Sequence, residues 1–470
     1  MPAPLSARAP LAAAAVLLAA ACADVPNAPL SPADATGRPR AAAAPGEADS
    51  TDGYLVFLKS DPDAPLRAAA GEVAAVADAA GAKDVQPLGF VPAFVARGDV
   101  DVAALEADPR VERVAPNSMY HKLAYPTGAT FYRRGWQWNM KQIRADQAAT
   151  DGTGRVVCVI DGGVNKTHAD LLGKVVAERA FPVAPQTWAP DDDLDSHGSH
   201  VGSTVTTNGL GVAGVAPGAR LMNANVFGPN AGVSVAQVVD AMAWCSTNGA
   251  DVINMSLGGT RTRGTAAWVA DSTTYTNATQ AARALGTVVV ASAGNSPVAI
   301  PSTAASSAFL PAEATGVVAV GATAPAAATT FPFASPAPAA LYDAVASYSA
   351  RNSGNDALGR GVVVYAPGGN NTFRAQANIT SACAPSAGPG CSTGDRYFSI
   401  SGTSMASPHV AGLAALISSR GTGARSLARV QAIEACMLAT ADAQPAGAPF
   451  FGRGRINALR ATTESCPGLP

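Results

Sequence analysis

Hydrophobic and polar positions along this chain fall into three regimes. Near the start a single apolar run, Leu11 to Ala21, follows Arg8 and carries no charge. From about Asp52 to Lys122 short apolar runs alternate with alanine-rich stretches of helical spacing. From about Thr130 onward, β-branched runs that end in Gly or Asp alternate with longer helical patterns. In this last region Val156–Ile160, Leu221–Val226, Val252–Ser256, Thr287–Ala291 and Val317–Gly321 are predicted strands. Ser234–Thr247, Asn277–Leu285 and the run after Ser404 are predicted helices. Strands that are largely apolar rather than alternating are buried on both faces. Strand–helix alternation then predicts a parallel sheet covered by helices on each side, a three-layer α/β domain.

The middle region predicts a smaller domain. Tyr54–Lys59 reads as a strand, Pro65–Ala80 as a helix, and Pro87–Ala96 as one or two strands. Val100–Ala107 reads as a second helix and Val111–Val114 as a closing strand. The order β-α-β-β-α-β is the split βαβ, ferredoxin-like pattern of an α+β domain. The leading apolar run is too short to span a bilayer as a mature helix and has the form of a signal peptide core. It ends in Leu18-Ala19-Ala20-Ala21-Cys22. That ending resembles a bacterial lipoprotein cleavage site, which would leave Cys22 as a lipid anchor. Ordinary cleavage after an Ala-x-Ala site is the alternative. The expected organisation is therefore a signal peptide over 1–22, a flexible Pro/Ala/Asp-rich linker over 23–51, the small domain over 52–122 and the large domain over 123–470. It implies export, to the exterior or the cell envelope.

Composition narrows the partners. The formal net charge is −2 and only 14% of residues are charged. With no basic cluster and no interleaved aromatic pattern, nucleic acid is not an expected partner.

Three segments of the large domain carry chemistry. Gly402-Thr403-Ser404-Met405-Ala406-Ser407-Pro408-His409 delivers a hydroxyl to the start of a small-residue apolar helix. Unpaired N–H groups and the dipole there favour developing negative charge, and Pro408 fits a first helical turn. Val156–Ile160 ends in Asp161-Gly162-Gly163, a carboxylate at the carboxyl end of a buried strand, where α/β sheets place their sites. Asp195-Ser196-His197-Gly198-Ser199-His200 puts a histidine at another loop-to-helix junction. Aspartate, histidine, serine is one of the chain orders in which an acid–base–nucleophile triad occurs. Any one of these residues alone would more readily be structural. Among the five histidines, His168 reads as a surface or core-edge residue and His121 has no assigned role.

Taken together, the three segments resemble the active-site motifs of the subtilisin-like serine proteases (subtilases), proteinase K-like members included. The serine motif from Gly402 to Gly412 matches without a departure. The histidine motif has Ser199 for the usual Thr, Gly202 for Ala and Ser203 for Gly. The aspartate motif has Gly162 where Thr or Ser is usual. The resemblance implies a subtilisin-like fold and an exported serine endopeptidase, with Asp161, His197 and Ser404 as the catalytic triad and His200 and His409 as packing or hydrogen-bonding residues. It implies an oxyanion hole made by the Asn295 side chain, after Val288–Gly294, and the Ser404 N–H. Ser256, Leu257 and Gly258, with Ala293 and Gly294, would bind the substrate backbone, Gly258 leaving space for an added strand. Substrates would be proteins or peptides, with a family lean towards apolar or aromatic side chains, and the protein a monomer. The small domain resembles the family's propeptide, an intramolecular inhibitor. Its tail Ala115–Lys122 would lie along the cleft, and autocleavage is expected between about Met119 and Tyr125. A catalytically silent subtilase fold that binds peptides is the alternative. The intact triad, Asn295 and a propeptide weigh against it.

Without Cys22, six cysteines remain, an even number in a secreted context. Cys383 and Cys391 flank a Pro/Gly turn and are the easiest pair to close, and Cys436 with Cys466 would tie down the carboxyl tail. Cys158 and Cys245 are then either bonded, near a pairing of proteinase K-like subtilases, or buried thiols. The chemistry calls for no cofactor. Structural calcium is a weaker expectation with no assigned metal site. Asp191, Asp192, Asp193 and Asp195 form an acidic cluster, and Asp170 falls where some subtilases place a ligand.

Overall fold

The computed structural model describes residues 51–59, 69–87, 93–118, 126, 128–182, 186–229, 232–301, 308–325, 344–352, 363–370, 377–385, 391, 396–443 and 452–469. The expected signal peptide, Cys22, linker residues 23–50 and His121 lie outside them, and Thr51, expected as the last linker residue, instead opens the first strand. Contacts divide the chain into two compact units, with a boundary in sequence between Ala124 and Tyr125.

The smaller unit is formed by β1 (Thr51–Leu58), α1 (Ala70–Ala79), β2 (Asp84–Pro87), β3 (Ala93–Arg97), α2 (Val102–Ala107) and β4 (Val111–Ser118), and its sheet order is β2-β3-β1-β4. Every pairing is antiparallel, and Val56, Leu58, Val73, Val76, Phe94 and Leu105 form its core. Helix α2 starts where Asp101 accepts the Ala104 N–H, so the helix is shorter at its start than the apolar pattern suggests. Ala115–Ser118, expected as part of a tail in the cleft, instead continue β4, with Pro116 opposite Tyr54 and Ser118 opposite Thr51. Met119–Lys122 lie outside the described residues.

The larger unit opens with two short helices, α3 (Thr130–Arg133) and α4 (Trp138–Gln142). It continues through β5 (Val156–Asp161), β6 (Val175–Ala180), α5 (His197–Val205), β7 (Arg220–Asn225), α6 (Val235–Thr247), β8 (Val252–Met255), β9 (Gly259–Arg261), α7 (Ala266–Ala284) and β10 (Val288–Ser292). Then follow β11 (Ala299–Ile300), β12 (Ala308–Leu310), β13 (Val318–Ala324), β14 (Ala344–Val345), β15 (Arg351–Asn352), β16 (Val364–Pro367), β17 (Ile379–Ala382) and β18 (Tyr397–Ile400). The last elements are α8 (Thr403–Ser418), α9 (Leu427–Ala439) and α10 (Ala458–Thr463). The main sheet runs β14-β13-β10-β8-β5-β7-β6, with β16 also on β13, and only β14 pairs antiparallel.

Alternate side chains of one strand feed two cores. Val157 and Val159 of β5 face the layer of α5, α8 and α9, whereas Cys158 and Ile160 face that of α6 and α7. Strand β10 divides the same way, Val288 and Val290 against Val289 and Ala291. The architecture is thus the three-layer α/β arrangement expected. The pattern missed β6, whose residues are all partly or fully exposed at the sheet edge, and the four-residue β16. It also missed the first half of α7, which Thr265 caps and which is rich in exposed Ser and Thr.

Disulfides join Cys158 of β5 to Cys245 of α6, Cys383 to Cys391, and Cys436 of α9 to Cys466. Among the described residues no helix is long and apolar enough to cross a membrane.

Candidate active site

Parallel register brings the carboxyl ends of β10, β8 and β5 level. Met255 pairs with Ala291 on one side and Ile160 on the other, so Ser292, Ser256 and Asp161 are the next residues of three adjacent strands. Their loops, with the starts of α5 and α8, enclose a cavity of about 640 Å³ lined by Asp161, His197, Ser256–Gly258, Gly294, Asn295, Phe309 and Ser404, among others.

Asp161 is buried and His197 is its partner, with His197 Nδ1 donating to Asp161 Oδ1 at 2.8 Å. Gly162 N–H donates to the same oxygen at 2.7 Å. Close backbone approach makes this pairing possible: a Cβ on Gly198 would stand 1.9 Å from the Gly163 carbonyl oxygen. Glycine at 198 therefore lets the first turn of α5 sit on the Asp161–Gly163 loop and carry His197 to the carboxylate. The Asp195 carboxylate accepts the His197 backbone N–H at 3.0 Å. Burial opposes a charge on His197, but the Asp161 charge and hydrogen bond, with Asp195 and Asp193 beyond, outweigh it and push the imidazole up to about 9. With Nδ1–H held by Asp161, Nε2 of the neutral ring is left to accept a proton.

Ser404 is the second residue of α8, so its N–H belongs to the turn that no intrahelical carbonyl can reach. Its hydroxyl donates to the Ser256 carbonyl at 3.1 Å rather than to His197. Nucleophile and base line the same cavity, and such bonds commonly form only in a substrate complex. Pro408 sits at the sixth position of α8 and not in its first turn. Having no N–H, it cannot donate to the Ser404 carbonyl four residues back. The Ser256 hydroxyl supplies that bond at 2.7 Å. A buried relay holds Ser256 in turn: Asn254 Nδ2 donates to Ser256 Oγ at 3.0 Å, and Ser407 Oγ donates to Asn254 Oδ1 at 2.7 Å.

The Asn295 amide is oriented by Thr403, whose N–H and hydroxyl both donate to Asn295 Oδ1 at 2.8 Å. Two donors on that oxygen fix the flip and leave the NH₂ group available beside Ser404. Thr403 Oγ1 also accepts the Gly294 N–H at 3.1 Å. Thr403 and Phe309 were not singled out from the sequence. Thr403 stands inside the serine motif, but its task depends on a residue 108 positions away. The Phe309 ring packs against Gly258: a Cβ there would lie 2.5 Å from it.

The other described histidines serve the scaffold. His200 donates to the Ile379 carbonyl, and His409 donates to Met405 O while Asn139 donates to its other nitrogen. Burial pushes the two imidazoles down, to about 3 and about 4. His168 is fully buried rather than at the surface, bonded to Arg396 O and the Asp170 N–H.

Asp170 does not suit a cation. Its carboxylate accepts from the N–H groups of Leu210, Gly211 and Val212 and from the Tyr397 hydroxyl, donors that stand where a metal would have to be. The acidic cluster is used likewise: Asp191 faces Lys166, Asp192 accepts from Ala189, and Asp193 accepts from the Ser199 N–H. Among the described residues no group of three or more His, Cys, Asp or Glu could hold a metal ion.

A family model described as "Subtilase family" matches residues 152–454. A thermophilic serine proteinase of Bacillus sp. (strain AK1) is 34% identical over 368 residues, covering 77% of this chain and 75% of the relative. An extracellular protease of Xanthomonas campestris pv. campestris is 32% identical over 457 residues, covering 86% and 69%. Among solved structures, a protease of Pseudoalteromonas arctica PAMC 21717 matches with a TM-score of 0.55 and 28% identity, over 70% of this chain and 97% of that chain.

Proposed function

The chain belongs to the subtilase family and is a serine endopeptidase, and from that premise we propose that it cleaves peptide bonds through an acyl-enzyme on Ser404. His197 Nε2 takes the Ser404 proton as Oγ attacks the scissile carbonyl, and then returns it to the leaving amine. Asp161 holds Nδ1–H, fixes the tautomer and stabilises the imidazolium. The Ser404 N–H and the Asn295 amide receive the oxyanion, an interaction that strengthens only as negative charge develops. Water then attacks the acyl ester with His197 again as base. The observation that carries the reading is the convergence of the Asp161–His197 pair, Ser404 and the Thr403-oriented amide of Asn295 on one cavity.

Two further parts belong to the proposal. The 52–122 unit acts as a propeptide, supported by its βαββαβ order ahead of the peptidase unit, and is removed by autocleavage between about Met119 and Tyr125. The protein is exported, supported by the leading apolar run and by a relative named as an extracellular protease.

A fluorophosphonate probe tests the whole. The mature protein should label, and Ser404→Ala should neither label nor shorten its own precursor. Absence of labelling in mature protein, or labelling that persists in Ser404→Ala, would overturn the assignment. A mature amino terminus far outside residues 119–125 would overturn the propeptide boundary.

A further inference from the structure

Phe309 stands between two segments that the family resemblance gives to the substrate, Ser256–Gly258 and Ala293–Gly294. A Cβ built on Gly258 would lie 2.5 Å from Cε1 and 2.7 Å from Cζ of its ring, and one on Gly294 would lie 3.1 Å from Cδ2. The ring therefore fills the slot between the Ser256–Gly258 loop and the Ser292–Gly294 loop, and Phe309 lines the same cavity as Ser404, Asn295 and His197.

The backbone beneath the ring is fixed. Phe309 pairs with Thr260 in the β12–β9 ladder, and Ala308 and Leu310 pair with Arg261 and Gly259. Its N–H donates to Glu313 Oε1 at 2.6 Å, and the Glu313 N–H donates back to the Phe309 carbonyl at 3.0 Å. The Glu313 carboxylate is buried and paired with Arg263. Such a clamp holds the ring's attachment point against the two glycines.

We infer that Phe309 closes the primary specificity pocket from within, so that this peptidase accepts small side chains such as Ala or Ser at the residue before the scissile bond and rejects large aromatic ones. The inference rests on the proposed catalytic reading and departs from the apolar-to-aromatic lean that the family resemblance implies. A ring already in the slot leaves a second ring no volume except by displacing the first, which the clamped backbone resists. Close packing makes such overlap costly, whereas a methyl or hydroxymethyl group fits beside the ring.

The test compares kcat/KM for chromogenic peptides that differ only at that residue, Ala against Phe, using secreted enzyme expressed from the full chain. Wild type should favour Ala by roughly tenfold or more, since even one methylene of misfit is worth about 10–200-fold. Phe309→Gly should raise kcat/KM for the Phe peptide by a comparable factor and change the Ala peptide by much less. Phe309→Leu, which keeps an apolar side chain on β12, should give an intermediate ratio and serves if the glycine variant does not fold. Wild type that prefers the Phe peptide overturns the inference without any variant, as does a ratio unchanged in Phe309→Gly or Phe309→Leu. If either result comes with hydrolysis that Ser404→Ala abolishes, the catalytic reading stands and only the pocket assignment falls. If no peptide is cleaved in a Ser404-dependent way, both fall.

Discussion

Removing the Ser256 hydroxyl probes the join between the serine helix and the substrate-binding loop. This oxygen accepts from Asn254 Nδ2 and donates to the Ser404 carbonyl, which Pro408 deprives of its helical donor. Ser256→Ala thus strands two polar groups, at about 1–3 kcal/mol for each when buried. Because the Ser256 loop lines the cavity, water can reach one side of it, and the low end, about 2 kcal/mol in total, is expected. Pro408→Ala restores an N–H opposite the Ser404 carbonyl, so Ser256→Ala should cost only about half as much in that background. The coupling of about 1 kcal/mol falls in the range for residues sharing a bonding network. The four variants are compared in a Ser404→Ala background, which removes autolysis and keeps the carbonyl. Thermal midpoints are read at one scan rate, and unfolding rates in urea accompany them. Equal destabilisation by Ser256→Ala with and without Pro408, or none in either, would refute the reasoning that Pro408 makes Ser256 the partner of that carbonyl.

Two predictions concern the chemistry. Asn295→Ala should lower kcat about 10²–10³-fold with little change in KM, since its amide acts on charge present only in the transition state; a mainly KM effect in steady-state kinetics would reassign Asn295 to substrate binding. The acidic limb of kcat/KM should lie on the alkaline side of the ordinary histidine value, towards about 9. His197 works as a base only when neutral, so a raised pKa delays activity as pH rises. Asp195→Asn removes one of the charges that raise it and can still accept the His197 N–H. The limb should therefore move to lower pH, and a pH profile left in place would show that Asp195 does not act on the ring electrostatically.

What the sequence made legible follows the physics of each element. Strands β5, β8, β10 and β13 are buried on both faces, so they appear as runs of apolar, largely β-branched residues, and the motifs that end β5, β8 and β10 could be placed on the sheet. Strand β6 carries Glu178 and Arg179 at the sheet edge, where one face sees solvent, and its pattern resembles a loop. The first turns of α7 are largely exposed and hold Ser272, Thr273 and Thr274, residues whose hydroxyls compete for backbone bonds and mask a helical pattern. Pro408 was placed one turn too early because a proline announces where a helix can begin more readily than where a missing bond is replaced from outside. Asp170 looked like a metal ligand by position. Only three-dimensional neighbours reveal that three amides and a hydroxyl already surround it.

The same distinction separates the two halves of the site. Asp161, His197, Ser404 and Asn295 announce themselves because each follows a strand or opens a helix in a recognisable string, and the parallel sheet then aligns the strings at one edge. Thr403, Ser256 and Phe309 contribute through contacts made across the chain, to partners 108, 148 and 51 positions away (309 − 258 for Phe309 and Gly258). Pairings of this kind carry no local signature, even where one member, such as Ser256, Ser404 or Asn295, stands in a legible motif. Phe309 lies on a three-residue strand paired antiparallel with β9, outside the parallel register that organises the motifs. A short strand of this kind can change its inward side chain without disturbing the main sheet, so selectivity can vary on a scaffold whose chemistry is held constant. On the inference drawn above, the residue opposite Gly258 and Gly294 decides what the slot admits. In this chain that residue is a phenylalanine, and its ring occupies the volume that the two glycines leave open.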